Sequence, residues 1–155
     1  MKKKCIGFLF LIALVSCQED IKFNNPSFQG VKDNVFWRAI SYNATRSTSG
    51  VLTIEAYTRN EVVTLKTSAS TVGIYQLGTS TSNTASYKIT NKTASTLFST
   101  GSDFGDGEIE ITNYDAVNKT VTGTFKCNVE NVDNDPLFGP SINFQYGNFF
   151  QIPVN

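Results

Sequence analysis

The chain has 155 residues with 13 Lys plus Arg against 13 Asp plus Glu, a length that suffices for one domain with one core. A formal net charge of zero provides no basic face for a phosphate backbone, so we do not expect nucleic acid as a partner. Because histidine is absent, the chain lacks Ser-His and Cys-His couples and histidine-ligated metals, and we expect no catalytic site, cofactor or metal.

The first 16 residues have the features of a signal peptide. Lys2, Lys3 and Lys4 form a positively charged start, and an apolar run follows over residues 6–15. Such a run is too short to cross a hydrocarbon core of about 30 Å as a helix, which needs about 20 residues. Its length and flanks are typical of the apolar region of a cleaved signal peptide. The pattern therefore predicts that residues 1–16 are removed.

The end of this run carries a lipidation motif. Residues 14–17 read Leu-Val-Ser-Cys and resemble the lipobox of bacterial lipoproteins. In that motif the cysteine thiol accepts a diacylglycerol before a peptidase cuts after the small residue. We therefore predict cleavage between Ser16 and Cys17, and a membrane anchor on the lipidated Cys17. The stretch Gln18-Glu19-Asp20, with two acidic residues, is similar to an export signal of Bacteroidetes lipoproteins, which indicates the outer membrane and its outer face.

A linker and one domain are predicted after the anchor. Residues 17–33 contain two asparagines, Asn24 and Asn25, together with Pro26 and Gly30, and they show no sustained hydrophobic period. This composition is typical of a flexible tether. We assign residues 34–155 to a single β domain.

From Val35 onward, apolar and polar side chains alternate with a period of two, which is typical of half-buried strands. No segment carries a helical stripe of useful length. The alternation predicts about nine strands, near residues 35–42, 51–58, 61–67, 72–77, 85–90, 95–99, 107–114, 119–130 and 142–154. Many short antiparallel strands indicate an all-β domain, either a sandwich or a closed barrel, and both architectures remain open.

The last predicted strand contains an irregular point. Its large apolar side chains share one parity: Ile142, Phe144, Tyr146, Phe150, Ile152 and Val154. The pair Gly147-Asn148 interrupts them, and it marks either the turn of a hairpin or a bulge in one long strand. We favour the bulge.

The reactive side chains form no recognisable catalytic set. Cys127 is the one thiol left after processing, and it shares a strand face with Val121 and Phe125, so we expect it to be a buried structural cysteine. Glu108 and Glu110 lie opposite two isoleucines, which predicts a solvent-facing position rather than a pair of catalytic acids.

Two acidic loops are candidate calcium sites. The loops 103–108 and 131–136 bring oxygen ligands close together. The second has Pro136 where a calcium loop needs its sharp-turn glycine, and Ile142 where it needs a bidentate glutamate. We therefore interpret both loops as turns at strand ends, with no metal.

Aromatic residues are numerous in this sequence, with 12 Phe, 6 Tyr and one Trp. A groove that stacks on sugar rings or peptides is one interpretation, with Trp37, Tyr42, Tyr57, Tyr75, Tyr87 and Tyr146 as its members. Tyr57 and Tyr87 are the candidate ligand-binding residues, because Tyr57 lies on the strand face opposite Leu52 and Ile54. The alternative is that these rings fill the core, with Trp37 among them.

Several segments together resemble a known family. They are Trp37-Arg38-Ala39, residues 52–56, 73–77, 107–115 and 121–125, placed after a lipobox. Over residues 35–154, and most of all over 107–127, the chain is similar to a family of small Bacteroidetes lipoproteins classed as a domain of unknown function. The resemblance implies a compact all-β domain on an outer-membrane anchor, and it brings no catalytic residues.

Three functions follow from these observations. The first is a non-enzymatic, membrane-anchored β domain that binds a glycan, a peptide or an envelope protein. The second is a structural or accessory subunit that docks into an envelope complex by a strand edge or an aromatic face. The third is a hydrolase, which the absence of histidine and of a carboxylate pair disfavours.

Overall fold

The computed structural model describes residues 27–92 and 94–155. The signal peptide, the cleavage and lipidation at Ser16 and Cys17, and the first part of the tether lie outside these residues. The described part is all-β, as predicted, and contains eleven strands and no helix. The strands are β1 (Ser27–Lys32), β2 (Val35–Arg38), β3 (Ser41–Arg46), β4 (Leu52–Tyr57), β5 (Glu61–Thr67), β6 (Gly73–Leu77), β7 (Thr84–Thr90), β8 (Ser95–Ser99), β9 (Asp106–Asp115), β10 (Thr120–Asn131) and β11 (Ser141–Pro153).

The two strands beyond the predicted nine are at the start of the domain. Strand β1 occupies residues that the sequence assigned to the tether. Its inward positions hold Phe28, Gly30 and Lys32, so only one of them is a large apolar residue and the alternation is hidden. The predicted strand at 35–42 is divided into β2 and β3, because the chain changes partner between them.

One antiparallel sheet curls into a half-barrel. Its strand order is β2-β1-β11-β10-β8-β7-β5-β4-β3, and β9 and β6 form a wing beside β10. The long β10 pairs with β9 along residues 120–128 and with β8 at residues 130–131. At the far edge, Ala44 of β3 forms a parallel bridge with Val154, just after β11. The curl gives the sheet a concave inner face and a convex outer face.

The core lies on the concave face and is rich in aromatic rings. Phe144 is at its centre, with ring centroids 6.0 Å from Trp37 and 5.8 Å from Tyr87. Phe28 packs on Phe125 at 5.0 Å. Each large side chain buried in this way stabilises the fold by about 1.5–3 kcal/mol. The core interpretation of Trp37 is therefore confirmed.

Strand β11 is one long strand, as predicted, but it contains two bulges rather than one. The register with β10 shifts between Phe125 and Cys127, where Gln145 and Tyr146 together face one residue. A second shift follows at Phe150 and Gln151. Each extra residue reverses the alternation after it. The buried positions are therefore Phe144, Gly147, Phe149, Ile152 and Val154, and the single parity expected from the sequence is wrong.

Candidate functional site

The structure separates the aromatic residues into two environments. Trp37, Tyr75 and Tyr87 are buried, and Tyr87 is only 1% exposed. Tyr57 is half-buried on the outer face, and Tyr146 is 85% exposed. The six aromatics therefore do not line one groove. Tyr57 and Tyr87 face opposite sides of the sheet, so the structure does not bring these two candidate residues together.

Tyr57 lies beside polar neighbours on β3 and β4. Burial, together with the nearby Glu55 carboxylate, raises the pKa of the Tyr57 phenol. Its hydroxyl therefore stays protonated at neutral pH. The ring is only partly accessible and is not the strongest candidate for a ligand contact.

An inner cluster of four polar side chains spans the concave face: Lys32, Trp37, Glu61 and Tyr87. The Glu61 carboxylate accepts hydrogen bonds from Trp37 Nε1 at 2.7 Å, from the Tyr87 hydroxyl at 2.5 Å and from Lys32 Nζ. The Thr58 hydroxyl also donates to it, at 3.1 Å. Lys32 Nζ in turn donates to the Tyr87 hydroxyl at 2.8 Å.

The electrostatics of the inner cluster favour one protonation state. Burial alone would raise the pKa of Glu61, but hydrogen bonds from Lys32, Tyr87 and Trp37 outweigh it and lower that pKa. Burial, reinforced by the Glu61 charge, strongly raises the pKa of Tyr87. Glu61 is therefore ionised and Tyr87 is neutral over the physiological range.

This arrangement joins distant parts of the fold rather than preparing a reaction. Two donors reach each oxygen of Glu61, which fills the acceptor capacity of a carboxylate. Strands β1 and β2 are not neighbours of β5 and β7 in the sheet, so the cluster connects the two sides of the curl. We interpret the inner cluster as structural.

The convex face carries the strongest candidate site. A depression of about 510 Å³ lies over β9, β10 and β11. Polar side chains, apolar surface and the exposed ring of Tyr146 line it together. Its lining residues are Glu108, Thr124, Phe125, Lys126, Gln145, Tyr146, Gly147 and Asn148. We call this surface the Tyr146 depression.

The Tyr146 depression contains one ion pair and three polar side chains that have no hydrogen bond to the described protein. Lys126 Nζ and Glu108 Oε1 form an ion pair at 3.1 Å, and Lys126 lowers the pKa of the Glu108 carboxyl. Glu108 lies on the outer face, as predicted. Among residues 27–92 and 94–155, no side-chain hydrogen bond to the protein involves Gln145, Tyr146 or Asn148. These amide and hydroxyl groups are free to bind a ligand.

The backbone holds Tyr146 outward at some conformational cost. Its φ of 53° lies in the left-handed region, which a bulky residue rarely adopts. The bulge places Gln145 and Tyr146 opposite the single residue Lys126 on β10, and Tyr146 and Gly147 opposite the single residue Gly30 on β1. At Gly147, a Cβ atom would lie 2.5 Å from the Phe125 ring, so only glycine permits this close packing. Backbone strain of this kind is common at binding sites and is worth about 1–3 kcal/mol.

The acidic loops considered for calcium are held by hydrogen bonds within the protein. Asp133 accepts the Leu97 amide at 2.7 Å, and Asp135 accepts the Thr96 hydroxyl at 2.5 Å. Asp106 accepts the Asn128 side chain at 2.7 Å. In the described part of the chain, no group of three or more acids or cysteines is placed to hold a metal ion.

Cys127 is buried, as predicted. Desolvation, with a smaller contribution from the Asp106 charge, raises the pKa of its thiol to about 12. A thiol with so high a pKa is a poor nucleophile at neutral pH.

The sequence interpretation did not identify the members of the Tyr146 depression as a group. It placed Tyr146 in the parity of the core, whereas the bulge turns this ring outward. The signal that could have identified it is the Tyr146-Gly147-Asn148 sequence in an otherwise apolar strand. Glycine and asparagine at that point are typical of a bulge that redirects a neighbouring side chain.

The chain belongs to the family described as Domain of unknown function (DUF6252), whose model matches residues 24–153. This match confirms the resemblance to a family of unknown function. It also extends over β1, which the sequence had assigned to the tether. No curated protein and no solved structure matches the chain. In residues 27–92 and 94–155 the structure contains no helix of the length and apolarity that a membrane span needs.

Proposed function

We propose that the protein is a membrane-anchored bacterial lipoprotein whose β domain binds carbohydrate without catalysing a reaction. The observation that carries the binding function is the Tyr146 ring, 85% exposed on a strained bulge beside polar groups that have no partner in the described protein. The anchor is supported by the lipobox at residues 14–17. In this proposal the protein belongs to the Bacteroidetes cell envelope and is held at the outer membrane.

The groups that line the Tyr146 depression suit a carbohydrate. A pyranose ring has an apolar face that stacks on an aromatic ring, and its hydroxyls bind amides and paired charges at the rim. Asn148, Gln145 and the Lys126–Glu108 pair supply such groups around Tyr146. The depression is open to solvent, which suits a ligand that keeps much of its hydration.

Non-catalytic binding is supported by the state of the reactive groups. Glu61 is saturated with donors, Cys127 is buried, and Glu108 is paired with Lys126. None of these groups combines access to solvent with a pKa near neutrality, which a general acid or base requires.

The binding proposal can be tested on a glycan array with the domain from residue 27 to 155. We expect signals on neutral oligosaccharides, and at least a tenfold weaker signal for Tyr146→Asn. Asparagine tolerates a positive φ, so this variant removes the ring without adding strain. Tyr146→Phe, which keeps the ring, should bind within about threefold of the natural protein. Absence of binding to every neutral oligosaccharide would refute the proposal.

The anchor can be tested separately in cells. Cys17→Ala should abolish labelling by radioactive palmitate and release the protein from the membrane fraction. Labelling that persists in this variant would show that Cys17 is not the lipidated residue. Ser16→Ala is the matched control, since a small residue is retained before the cysteine and labelling should continue.

Of the two architectures that the sequence leaves open, we propose a closed barrel rather than a sandwich. Its support is the contact between β3 and the C-terminal end: the Asn155 amide donates to the Ala44 carbonyl at 2.9 Å, beside the bridge from Ala44 to Val154. Slow hydrogen exchange at the Asn155 amide would agree with closure. Exchange as fast as in a free terminus would contradict it.

A second candidate function is that of an accessory subunit. In the described part of the chain, β6 pairs with β9 alone, and Val72 and Ile74 are 65% and 58% exposed beside this free edge. An unprotected edge with apolar side chains can accept a strand from a partner. Val72→Lys should then abolish co-purification of an envelope partner and leave glycan binding unchanged.

A further inference from the structure

We infer that the carbohydrate is an extended, uncharged oligosaccharide that crosses the strands, with Phe36 as a second stacking position. This inference rests on the proposed binding at Tyr146. It adds the class of ligand, its direction on the sheet and a residue that lies outside the Tyr146 depression.

The first support is a row of side chains that runs across three strands. Phe36 of β2 pairs with Val31 of β1, and Val31 pairs with Gln145 of β11, beside Tyr146. Trp37 points into the core, so its neighbour Phe36 points outward, where it is 65% exposed. We call Phe36, Val31, Gln145 and Tyr146 the aromatic row.

The length of the aromatic row suits more than one sugar. Neighbouring strands are about 4.8 Å apart, so Phe36 and Tyr146 are separated by about 10 Å across the sheet. Two rings at this separation can stack on different sugars of one extended chain. A single sugar bound at Tyr146 does not reach Phe36.

A parallel polar row provides hydrogen-bonding groups along the same path. Arg38 pairs with Gln29, Gln29 with Asn148, and Asn148 with Thr124. Thr124 pairs in turn with Glu110. These five residues form the polar row, which lies two residues from the aromatic row on β2 and β1, and three residues beyond Gln145 on β11. An oligosaccharide between the rows would have rings on one side and amides and hydroxyls on the other.

The charges on this surface favour a neutral ligand. The aromatic row is uncharged, and Lys126 beside it is paired with Glu108. In the polar row, Arg38 and Glu110 lie at opposite ends, with only amides and a hydroxyl between them. A uronic acid or sulfated chain would find no unpaired basic group near Tyr146. Binding should therefore depend little on salt.

The test is isothermal titration of the domain with cello-, manno- and xylo-oligosaccharides of two to six rings. We expect affinity to rise by about tenfold or more from the disaccharide to the longer chains in at least one series, the gain that a second stacked ring provides. Phe36→Ala should remove that gain and leave disaccharide binding unchanged. Tyr146→Asn should weaken both. Leu137→Ala, which removes another exposed apolar side chain in the loop between β10 and β11, is the matched control and should change neither.

The outcomes separate this inference from the proposed function. If Tyr146→Asn abolishes binding but Phe36→Ala has no effect on the longest chains, the crossing path is wrong and the Tyr146 site stands. If affinity does not depend on chain length, the second stacking position is refuted. If no oligosaccharide binds, both proposals fail. Oligogalacturonides of the same lengths are titrated in parallel as the charged comparison, and tighter binding to them than to the neutral series would overturn the assignment of a neutral ligand.

Discussion

The concave and convex faces of the same half-barrel use polar and aromatic residues in opposite ways. In the inner cluster, Glu61 is met by four donors and Tyr87 is buried. On the outer face, Tyr146 is exposed and its amide neighbours bind nothing else in the described protein. Saturated groups stabilise a fold, whereas unsatisfied groups on an exposed surface are available to a ligand. The comparison predicts that mutations inside change stability and mutations outside change binding.

The largest difference is expected between two adjacent residues of β2. Trp37→Ala removes a buried ring and its hydrogen bond to Glu61, so the free energy of unfolding should fall by about 3–5 kcal/mol. Phe36→Ala removes an exposed ring and should change it by no more than about 0.5 kcal/mol. Urea denaturation of both variants measures the contrast. Equal losses would mean that Phe36 is part of the core.

A smaller difference in stability loss is expected between the substitutions of two carboxylates, Glu61 and Glu110. Glu61→Gln leaves Lys32 without its counter-charge and places amide hydrogens against existing donors, which should destabilise the fold by about 1–3 kcal/mol. Glu110→Gln on the outer face should cost less than about 0.5 kcal/mol. The urea midpoints of the two variants test this pair. A neutral effect of Glu61→Gln would show that the inner cluster does not hold the curl together.

The pH dependence of the free energy of unfolding should reveal the contribution of Glu61 in the inner cluster. The pKa of Glu61 is lower in the folded state than its ordinary value of 4.5. Its ionised form therefore stabilises the fold above that value, and this contribution is lost as the pH falls through the folded pKa. The free energy of unfolding should be measured from pH 7 to pH 3 for the natural protein and for Glu61→Gln. We expect the difference between the two values to become smaller as the pH falls. A constant difference between the two would contradict the cluster's electrostatics.

The smallest effect on stability is expected at Tyr146, the proposed binding residue. Tyr146→Asn relieves the strain of a bulky residue at positive φ and removes no core contact, so the free energy of unfolding should stay the same or rise by up to about 1 kcal/mol. Thermal denaturation of this variant provides the measurement. A loss of more than about 1 kcal/mol would mean that the ring supports the fold rather than a ligand.

Much of the fold could be predicted from the alternation of side chains, and the exceptions have physical causes. The strands at 52–57, 61–67 and 120–131 lie within a residue or so of their predicted bounds, because each has one buried and one wet face. Strand β1 was missed because Gly30 and Lys32 occupy inward positions where the pattern requires large apolar residues. Lys32 is tolerated there only because Glu61, far away in sequence, neutralises it.

The sequence predicts the type of candidate site, an aromatic surface, but it does not predict which residues form it. An aromatic surface for stacking was one interpretation of the composition, but the bulge in β11 decides which rings reach solvent. Tyr87 is buried because Glu61 and Lys32 satisfy its hydroxyl inside the core. Both facts depend on contacts between distant segments, which local periodicity does not report.

The most direct test of carbohydrate binding on the convex face is a titration followed by amide chemical shifts in solution. The natural domain would be mixed with the neutral oligosaccharide that gives the strongest array signal. We predict shift changes at residues 29–31, 124–126 and 145–148, with the amides of Glu61 and Tyr87 unchanged. Shift changes centred on the inner cluster, with the Tyr146 depression silent, would contradict the account.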